Sequence, residues 1–258
     1  MPELRACGLS RHFSGIRVVK DVDFAIAPGE VVGYLGPNGS GKTTTARMLA
    51  GLLDPSSGHV EYGGRRIRDD LIAFRHEMGY VPEEPHLYPF LSGREYLQLI
   101  GRLREIPETL LDMKIDGFLD LFGLRTAAEQ SIASYSKGMR QKVVISAALL
   151  HDPSVILFDE PETGLDVTTK LVLRHMVRTL AERGKAIMYS SHVLEVVERV
   201  CSRVIVLHQG AVVADDSIDR LRILLSRNSL EGVFSQLVIK EDPEQIARDL
   251  ADVSALGS

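Results

Sequence analysis

The chain has 258 residues, 45% of them hydrophobic and 25% charged, with a net charge of −5. That length can bury a substantial core in one large domain, or in one domain with a small appendage, and the interspersed, mildly acidic charge excludes the basic footprint of a nucleic-acid binder. The two cysteines, Cys7 and Cys201, show no CxxC and no metal-ligand spacing, so two free thiols in a reducing cytosol are expected. Residues 1–13 contain no apolar core of a signal peptide, and the longest apolar runs, 143–150 and 155–158, fall far short of the roughly 20 residues a membrane span takes. The chain is therefore expected to be soluble and to reach a membrane only through a partner.

In chain order, a short and almost wholly apolar run at 31–35 predicts a strand buried on both faces, and a helical pattern follows at 42–52. A second such strand is predicted at 78–81. Residues 92–134 then read as helical throughout, with apolar spacing in Tyr96, Leu97, Leu99, Ile100 and Leu103, and again in Leu110, Leu111, Ile115, Phe118, Leu119 and Phe122. Further strands are predicted at 155–158, 186–190 and 204–207, and helices at 166–183 and 193–200. A hairpin with a short helix fits 209–226, and from Lys240 the chain is polar enough for a poorly ordered tail. Strand-then-helix repetition implies a mostly parallel α/β sheet with right-handed crossovers, and ligands of such sheets sit beyond the carboxyl ends of the strands. The expected division is a domain over 1–225, carrying a helical insertion at about 92–140, and a C-terminal extension over 226–258 that is partly disordered.

Residues Gly36, Pro37, Asn38, Gly39, Ser40, Gly41, Lys42, Thr43 and Thr44 fit the pattern G-x-x-x-x-G-K-[ST] between a predicted strand and a predicted helix. Glycines let backbone N–H groups turn inward around phosphates, and the helix that begins near Lys42 points its positive dipole end at the anion. Lys42 is expected to reach the β- and γ-phosphates, and Thr43 to offer its hydroxyl to Mg2+. The strand at 155–158 ends in Asp159 and Glu160. If strand geometry continues, the two carboxylates point to opposite faces, so Asp159 is assigned to the metal and Glu160 to the attacking water as general base.

With these motifs in place, the sequence resembles the nucleotide-binding subunits of ABC (ATP-binding cassette) transporters, over about residues 3–225. The resemblance implies a P-loop core with an N-terminal antiparallel β subdomain and an inserted helical subdomain. It implies ATP and Mg2+ as ligands, and roles for particular residues. Phe13 stands where the family places an aromatic on adenine, the alternative being a core aromatic. Gly79-Tyr80-Val81-Pro82-Glu83 carries Glu83 where the family usually has a Gln that contacts Mg2+ and water; a carboxylate is a good ligand for a hard cation, and a plain loop residue is the alternative. Tyr135 to Lys142 resembles the signature LSGGQxQ, with Ser136, Gly138 and Gln141 matching and Tyr135, Lys137 and Met139 departing. Thr163-Gly164-Leu165-Asp166 looks like the loop that touches the opposing subunit, and Ser190-Ser191-His192 carries the switch histidine expected at the γ-phosphate.

The resemblance also implies a site split across a dimer of cassettes, with the phosphate loop of one facing Ser136 and Gly138 of the other. It implies a separate integral-membrane permease as partner and a cytoplasmic position at the inner face of the membrane. Pro82-Glu83-Glu84-Pro85, the Tyr-Ser-Lys-Gly-Met signature and Leu230-Glu231-Gly232-Val233-Phe234 are similar to the ATPases of type-2 ABC export systems. Two other readings stand beside this one: a non-transport ABC ATPase acting on nucleic acid or ribosomes, and a regulatory ATP-binding module that does not hydrolyse.

Overall fold

The computed structural model of the protein describes residues 1–224 and 229–238. The chain opens with two long strands, β1 (Leu4–Phe13) and β2 (Ile16–Ile26), then β3 (Val31–Leu35) and helix α1 (Lys42–Leu49). Next come β4 (Ser57–Tyr62), β5 (Arg65–Arg66), α2 (Leu71–Glu77) and β6 (Met78–Val81). The helical stretch holds α3 (Gly93–Leu103), α4 (Glu108–Leu121), two 3-10 turns and α5 (Lys137–Leu149). The remainder alternates again: β7 (Val155–Asp159), α6 (Val167–Glu182), β8 (Ala186–Ser190), α7 (Leu194–Val200), β9 (Arg203–His208), β10 (Ala211–Ser217), α8 (Ile218–Leu224) and α9 (Leu230–Val238). The polar stretch from Lys240 lies outside the described residues.

Two sheets organise these elements. Four antiparallel strands run in the order β2-β1-β4-β5, and six run in the order β10-β9-β3-β8-β7-β6. Within the six, β9, β3, β8, β7 and β6 are parallel and only the edge strand β10 is antiparallel. Side-chain alternation divides the core cleanly. Ile156 and Phe158 of β7, Ile187 and Tyr189 of β8, and Val204 and Val206 of β9 pack on the face covered by α5, α6 and α7. Their neighbours Val155 and Leu157, Ala186 and Met188, and Ile205 and Leu207 pack on the other face with α1 and the antiparallel sheet. Burial on both faces explains why these strands read as continuous apolar runs. The expected fold class is what the structure contains. Among the described residues, no helix is long and apolar enough to cross a membrane.

Capping residues set where the helices begin. Ser92 and Glu95 form a reciprocal capping box on α3, with Ser92 Oγ accepting from the Glu95 N–H and Glu95 Oε2 accepting from the Ser92 N–H at 2.7 Å. Ser136 caps α5 and Asp166 caps α6 through their side-chain oxygens. The helical stretch is bound into the main core through Leu97, Leu111, Ile115, Leu119 and Phe122, all buried. Several details differ from the sequence reading: residues 92–134 are not helical throughout but break between α3 and α4 and continue after α4 as loop and 3-10 turns. Helix α1 ends at Leu49 rather than Leu52, because the chain turns into the left-handed conformation at Gly51. Strand geometry does not continue through Glu160, which has a φ of 50°.

His151 links α5 to β6: its Nε2 lies 3.1 Å from the carbonyl oxygen of Met78. Burial, reinforced by Arg104, lowers its pKa from 6.5 to about 4. Since the folded state resists protonation, the stabilisation is complete above pH 6.5 and is lost as pH falls from 6.5 toward about 4. The urea midpoint is expected to drop over that interval. In His151→Gln, which keeps a donor for Met78 but cannot charge, the drop should be visibly shallower.

Candidate functional site

The loop from Gly36 to Gly41 leaves the carboxyl end of β3 and delivers the chain into α1. Gly41 occupies the N-cap position at a φ of 105°, a conformation that a residue with a Cβ rarely adopts, and no side chain caps the helix. The first turn is therefore open to an outside acceptor, and Lys42, Thr43 and Thr44 line the cavity in front of it. Lys42 Nζ donates to the carbonyl of Gly36 at 2.7 Å and of Pro37 at 3.2 Å, which folds its side chain back over the loop. Burial lowers the Lys42 pKa below its ordinary value, and Glu160, Asp159 and Glu83 oppose that shift.

The cavity measures about 540 Å3 and is lined by Val18, Asn38, Gly39, Gly41, Lys42, Thr43, Thr44, Glu83, Asp159, Glu160 and His192. It gathers the ends of four neighbouring strands: the loop after β3, Glu83 after β6, Asp159 and Glu160 at β7, and His192 after β8. This is the crevice that a parallel sheet leaves beyond its carboxyl ends.

Asp159 keeps the phase of Val155 and Leu157, so its side chain lies on the α1 side of the sheet. It is 1% exposed. One carboxylate oxygen accepts from Ser190 Oγ at 2.9 Å, while Oδ2 is buried without a hydrogen-bond partner. A buried oxygen of this kind is costly unless something outside the chain satisfies it. With the Thr43 hydroxyl and the Glu83 carboxylate on the same cavity, the donor set is all oxygen and suits Mg2+. Glu160 leaves the strand by its positive φ and turns into the cavity, so the two carboxylates diverge through a backbone kink and not through strand alternation. Its Oε2 lies 2.8 Å from His192 Nδ1, and the two side chains are 11% and 70% exposed. Burial raises the Glu160 pKa, opposed first by His192 and then by Lys42.

The other sequence-predicted residues fall into two groups. Gly36, Pro37 and Ser40 shape the loop without lining the cavity. Ser136, Gly138 and Phe13 are also outside the described residues that line it. Ser136 is exposed, its Oγ accepting from the Met139 N–H at the start of α5. Gly138 packs so closely on the loop at Gly164 that a Cβ there would meet the Gly164 carbonyl oxygen at 2.6 Å. Phe13 is 43% exposed, with the Arg11 guanidinium 4.8 Å from its ring centroid. Sequence reasoning missed Val18, which the alternation of β2 turns toward the cavity. It also missed the ties behind the site: Gln141 Nε2 donates to the Pro161 carbonyl at 3.2 Å, and Glu162 accepts from Arg174 at 2.7 Å and from the Tyr189 hydroxyl at 2.8 Å.

A family model described as ABC transporter matches residues 19–163, more than half of the chain. The chain belongs to the ABC transporter family. It is 37% identical over 226 residues to the ABC transporter ATP-binding protein NatA of Bacillus subtilis, covering 87% of this chain and 92% of that protein. It is 33% identical over 211 residues to the linearmycin resistance ATP-binding protein LnrL of Bacillus subtilis, covering 82% and 68%. A solved structure described as the ATP binding subunit of an ABC transporter superposes with a TM-score of 0.85 at 33% identity, covering 91% of this chain and 98% of that one. ABC ATP-binding proteins bind ATP and are ATPases.

Asp159→Asn keeps an acceptor for Ser190 and removes the charge of the unpartnered oxygen. ATP affinity, measured by calorimetry with and without magnesium, is expected to lose most of its magnesium dependence, weakening about tenfold or more in its presence. A variant that binds Mg-ATP as the parent does would place the ion elsewhere.

Proposed function

We propose that this chain is the ATP-hydrolysing subunit of a membrane export system, working as a dimer of cassettes on a separate permease at the inner face of the membrane. The observation that carries the reading is the Glu160 carboxylate, buried, hydrogen-bonded to His192 and facing the same cavity as Lys42. In this reading the α1 amides and Lys42 hold the terminal phosphates, and Thr43, Asp159 and Glu83 hold Mg2+. Bound Mg2+ would neutralise charge on the β- and γ-phosphate oxygens. Glu160 accepts the proton of a water whose oxygen attacks the γ-phosphorus as the bond from that phosphorus to the β–γ bridging oxygen breaks and ADP leaves, and His192 orients the carboxylate and contacts the γ-phosphate. Phe13 offers its exposed ring face to adenine.

Ser136 and Gly138 support the dimer in a specific way. Ser136 is exposed and Gly138 half-buried at a helix start that does not line the cavity of its own chain, and in this reading they meet the γ-phosphate bound by a second copy. Hydrolysis would remove the phosphate that both surfaces share and so release them. The helical stretch over 92–134 and the loop at Glu83 would pass the motion to the permease. Export as the direction is supported by the motif variants at Pro82–Pro89 and 135–139, and by the name of LnrL, a resistance protein.

Glu160→Gln is expected to bind Mg-ATP, to lose turnover by about a hundredfold or more, and to elute as a dimer in gel filtration with Mg-ATP. Monomer alone, together with normal turnover, would refute the assignment.

The raised Glu160 pKa gives a second readout. A base must be ionised, so the acid limb of the kcat/KM profile for ATP hydrolysis is expected above the ordinary carboxylate value of 4.5. His192→Ala removes the largest influence holding that pKa down, so the residual activity should show the limb displaced to still higher pH. An unmoved or lowered limb would separate Glu160 from the proton transfer.

A further inference from the structure

On the solvent face of the antiparallel sheet, away from the nucleotide cavity, three chemically mixed side chains converge. Cys7 of β1 stands directly opposite His59 of β4 in the antiparallel register, and Glu61 follows His59 on the same face of β4. Their ligand atoms all lie within 4.8 Å of one another. His59 Nε2 is 2.9 Å from Glu61 Oε1, Cys7 is a free thiol, and all three residues are half-buried. The inward neighbours Ala6 and Val60 are buried, which fixes the phase of both strands and holds Cys7 and His59 outward together.

We propose that Cys7, His59 and Glu61 form a binding site for a divalent transition cation, zinc in the first instance, that cross-links β1 to β4. The donor set is one sulfur, one nitrogen and one oxygen. Thiolate and imidazole select zinc over the hard cations Mg2+ and Ca2+, which prefer oxygen alone. Around a tetrahedral zinc, with bonds of roughly 2.0 to 2.3 Å, neighbouring ligand atoms stand about 3.5 Å apart. The present separations, 2.9 Å between His59 Nε2 and Glu61 Oε1 and within 4.8 Å for all three atoms, bracket that value. Water would take the fourth position. Two anionic ligands, thiolate and carboxylate, would balance the ion's charge.

Binding breaks the Cys7 S–H bond, forms a sulfur–metal bond and releases the proton to solvent; no electrons are transferred. Burial and then the Glu61 carboxylate push the Cys7 thiol up from its ordinary value; Asp23 of β2 acts in the same direction, and Arg5 of β1 and Arg66 oppose it. The proton is thus held more tightly than in a free thiol, and zinc affinity should rise with pH through the neutral range. An ion at this place would stabilise the folded state by mass action. It would do so on the sheet whose β1 ends at Phe13.

The test uses untagged full-length protein, saturated with Mg-ADP to occupy the nucleotide carboxylates, in a phosphine reductant. Zinc is titrated in competition with a chromophoric chelator. One saturable equivalent per chain is expected, weakened about tenfold or more in Cys7→Ser, His59→Gln and Glu61→Gln, with tighter binding at higher pH. Cobalt in place of zinc should give a thiolate charge-transfer band that Cys7→Ser abolishes. No saturable zinc in the parent protein would overturn the proposal. Unchanged affinity in Cys7→Ser and in His59→Gln, with circular dichroism matching the parent, would do the same. Should Cys7→Ser fail to fold, the His59→Gln and Glu61→Gln affinities decide. The substitutions at Cys7 and His59 and the cobalt–thiolate band read the β1–β4 cluster alone, so their outcomes are distinguishable from a failure of the ATPase assignment.

Discussion

The constraint on which the rest of the structure depends is the concentration of charge at one end of the six-stranded sheet. One ammonium, Lys42, and two carboxylates, Asp159 and Glu160, are buried within reach of a single cavity. Charges taken out of water are costly unless paired, hydrogen-bonded or ligand-bound. The fold meets part of that demand internally, through the Gly36 and Pro37 carbonyls for Lys42, Ser190 for Asp159 and His192 for Glu160. The unsatisfied remainder, the first turn of α1 and Asp159 Oδ2, is shaped to receive an anion and a hard cation side by side. A parallel sheet makes this possible because all its carboxyl ends open on the same side, so four strand ends can each contribute one group.

The elements behind the cavity join its parts into one body. Gln141 ties α5 to the backbone just after Glu160, Gly138 leans on the Gly164 carbonyl, and Lys142 reaches Asp166 at 3.4 Å. Glu162 is held between Arg174 of α6 and Tyr189 of β8. These contacts connect the start of α5, the loop at 163–166 and the backbone just after Glu160. On the proposed reading this linkage matters mechanically. A contact made by Ser136 in a second copy would be felt through α5 at the chain next to Glu160, with no rearrangement of the sheet.

Much of this was legible in the sequence, for a physical reason. Strands buried on both faces read as uninterrupted apolar runs, so 31–35, 78–81 and 186–190 match the observed strands, and 155–158 falls one residue short because Asp159 continues β7. The glycine loop was readable because its backbone conformation demands glycines at fixed offsets. The antiparallel strands β1, β2, β4 and β5 were not readable from pattern. The β1–β2 and β1–β4 pairings carry bulges and β5 is two exposed residues, so the mix of charged and apolar residues hides any alternation, and only the family resemblance supplied these strands. The conformation of Glu160 was missed because its left-handed φ is imposed by tertiary contacts, among them its N–H donating to the Ser190 carbonyl. The Cys7–His59–Glu61 cluster was invisible for a related reason. Its members are brought together by strand register, and a scan for ligand spacing along the chain finds nothing.

The exposure of the site's members divides them by task. Lys42, Asp159, Glu160, Ser190 and Ser191 are buried, which holds these groups in a set geometry. His192, Glu83, Ser136 and Phe13 are exposed. They share no strand with the buried set and stand on loops, at a helix start or at the end of a hairpin strand. A site whose buried half is complete in one chain and whose other half lies at the surface leaves that exposed half open to a second surface. Position of the charge on Glu160 illustrates the point: its partner His192 is the exposed member of the pair, so a change at the surface of the cavity reaches a buried carboxylate through a single 2.8 Å hydrogen bond. The left-handed backbone at Glu160 turns the chain out of β7 at this point, and the bond to His192 completes the placement of the carboxylate.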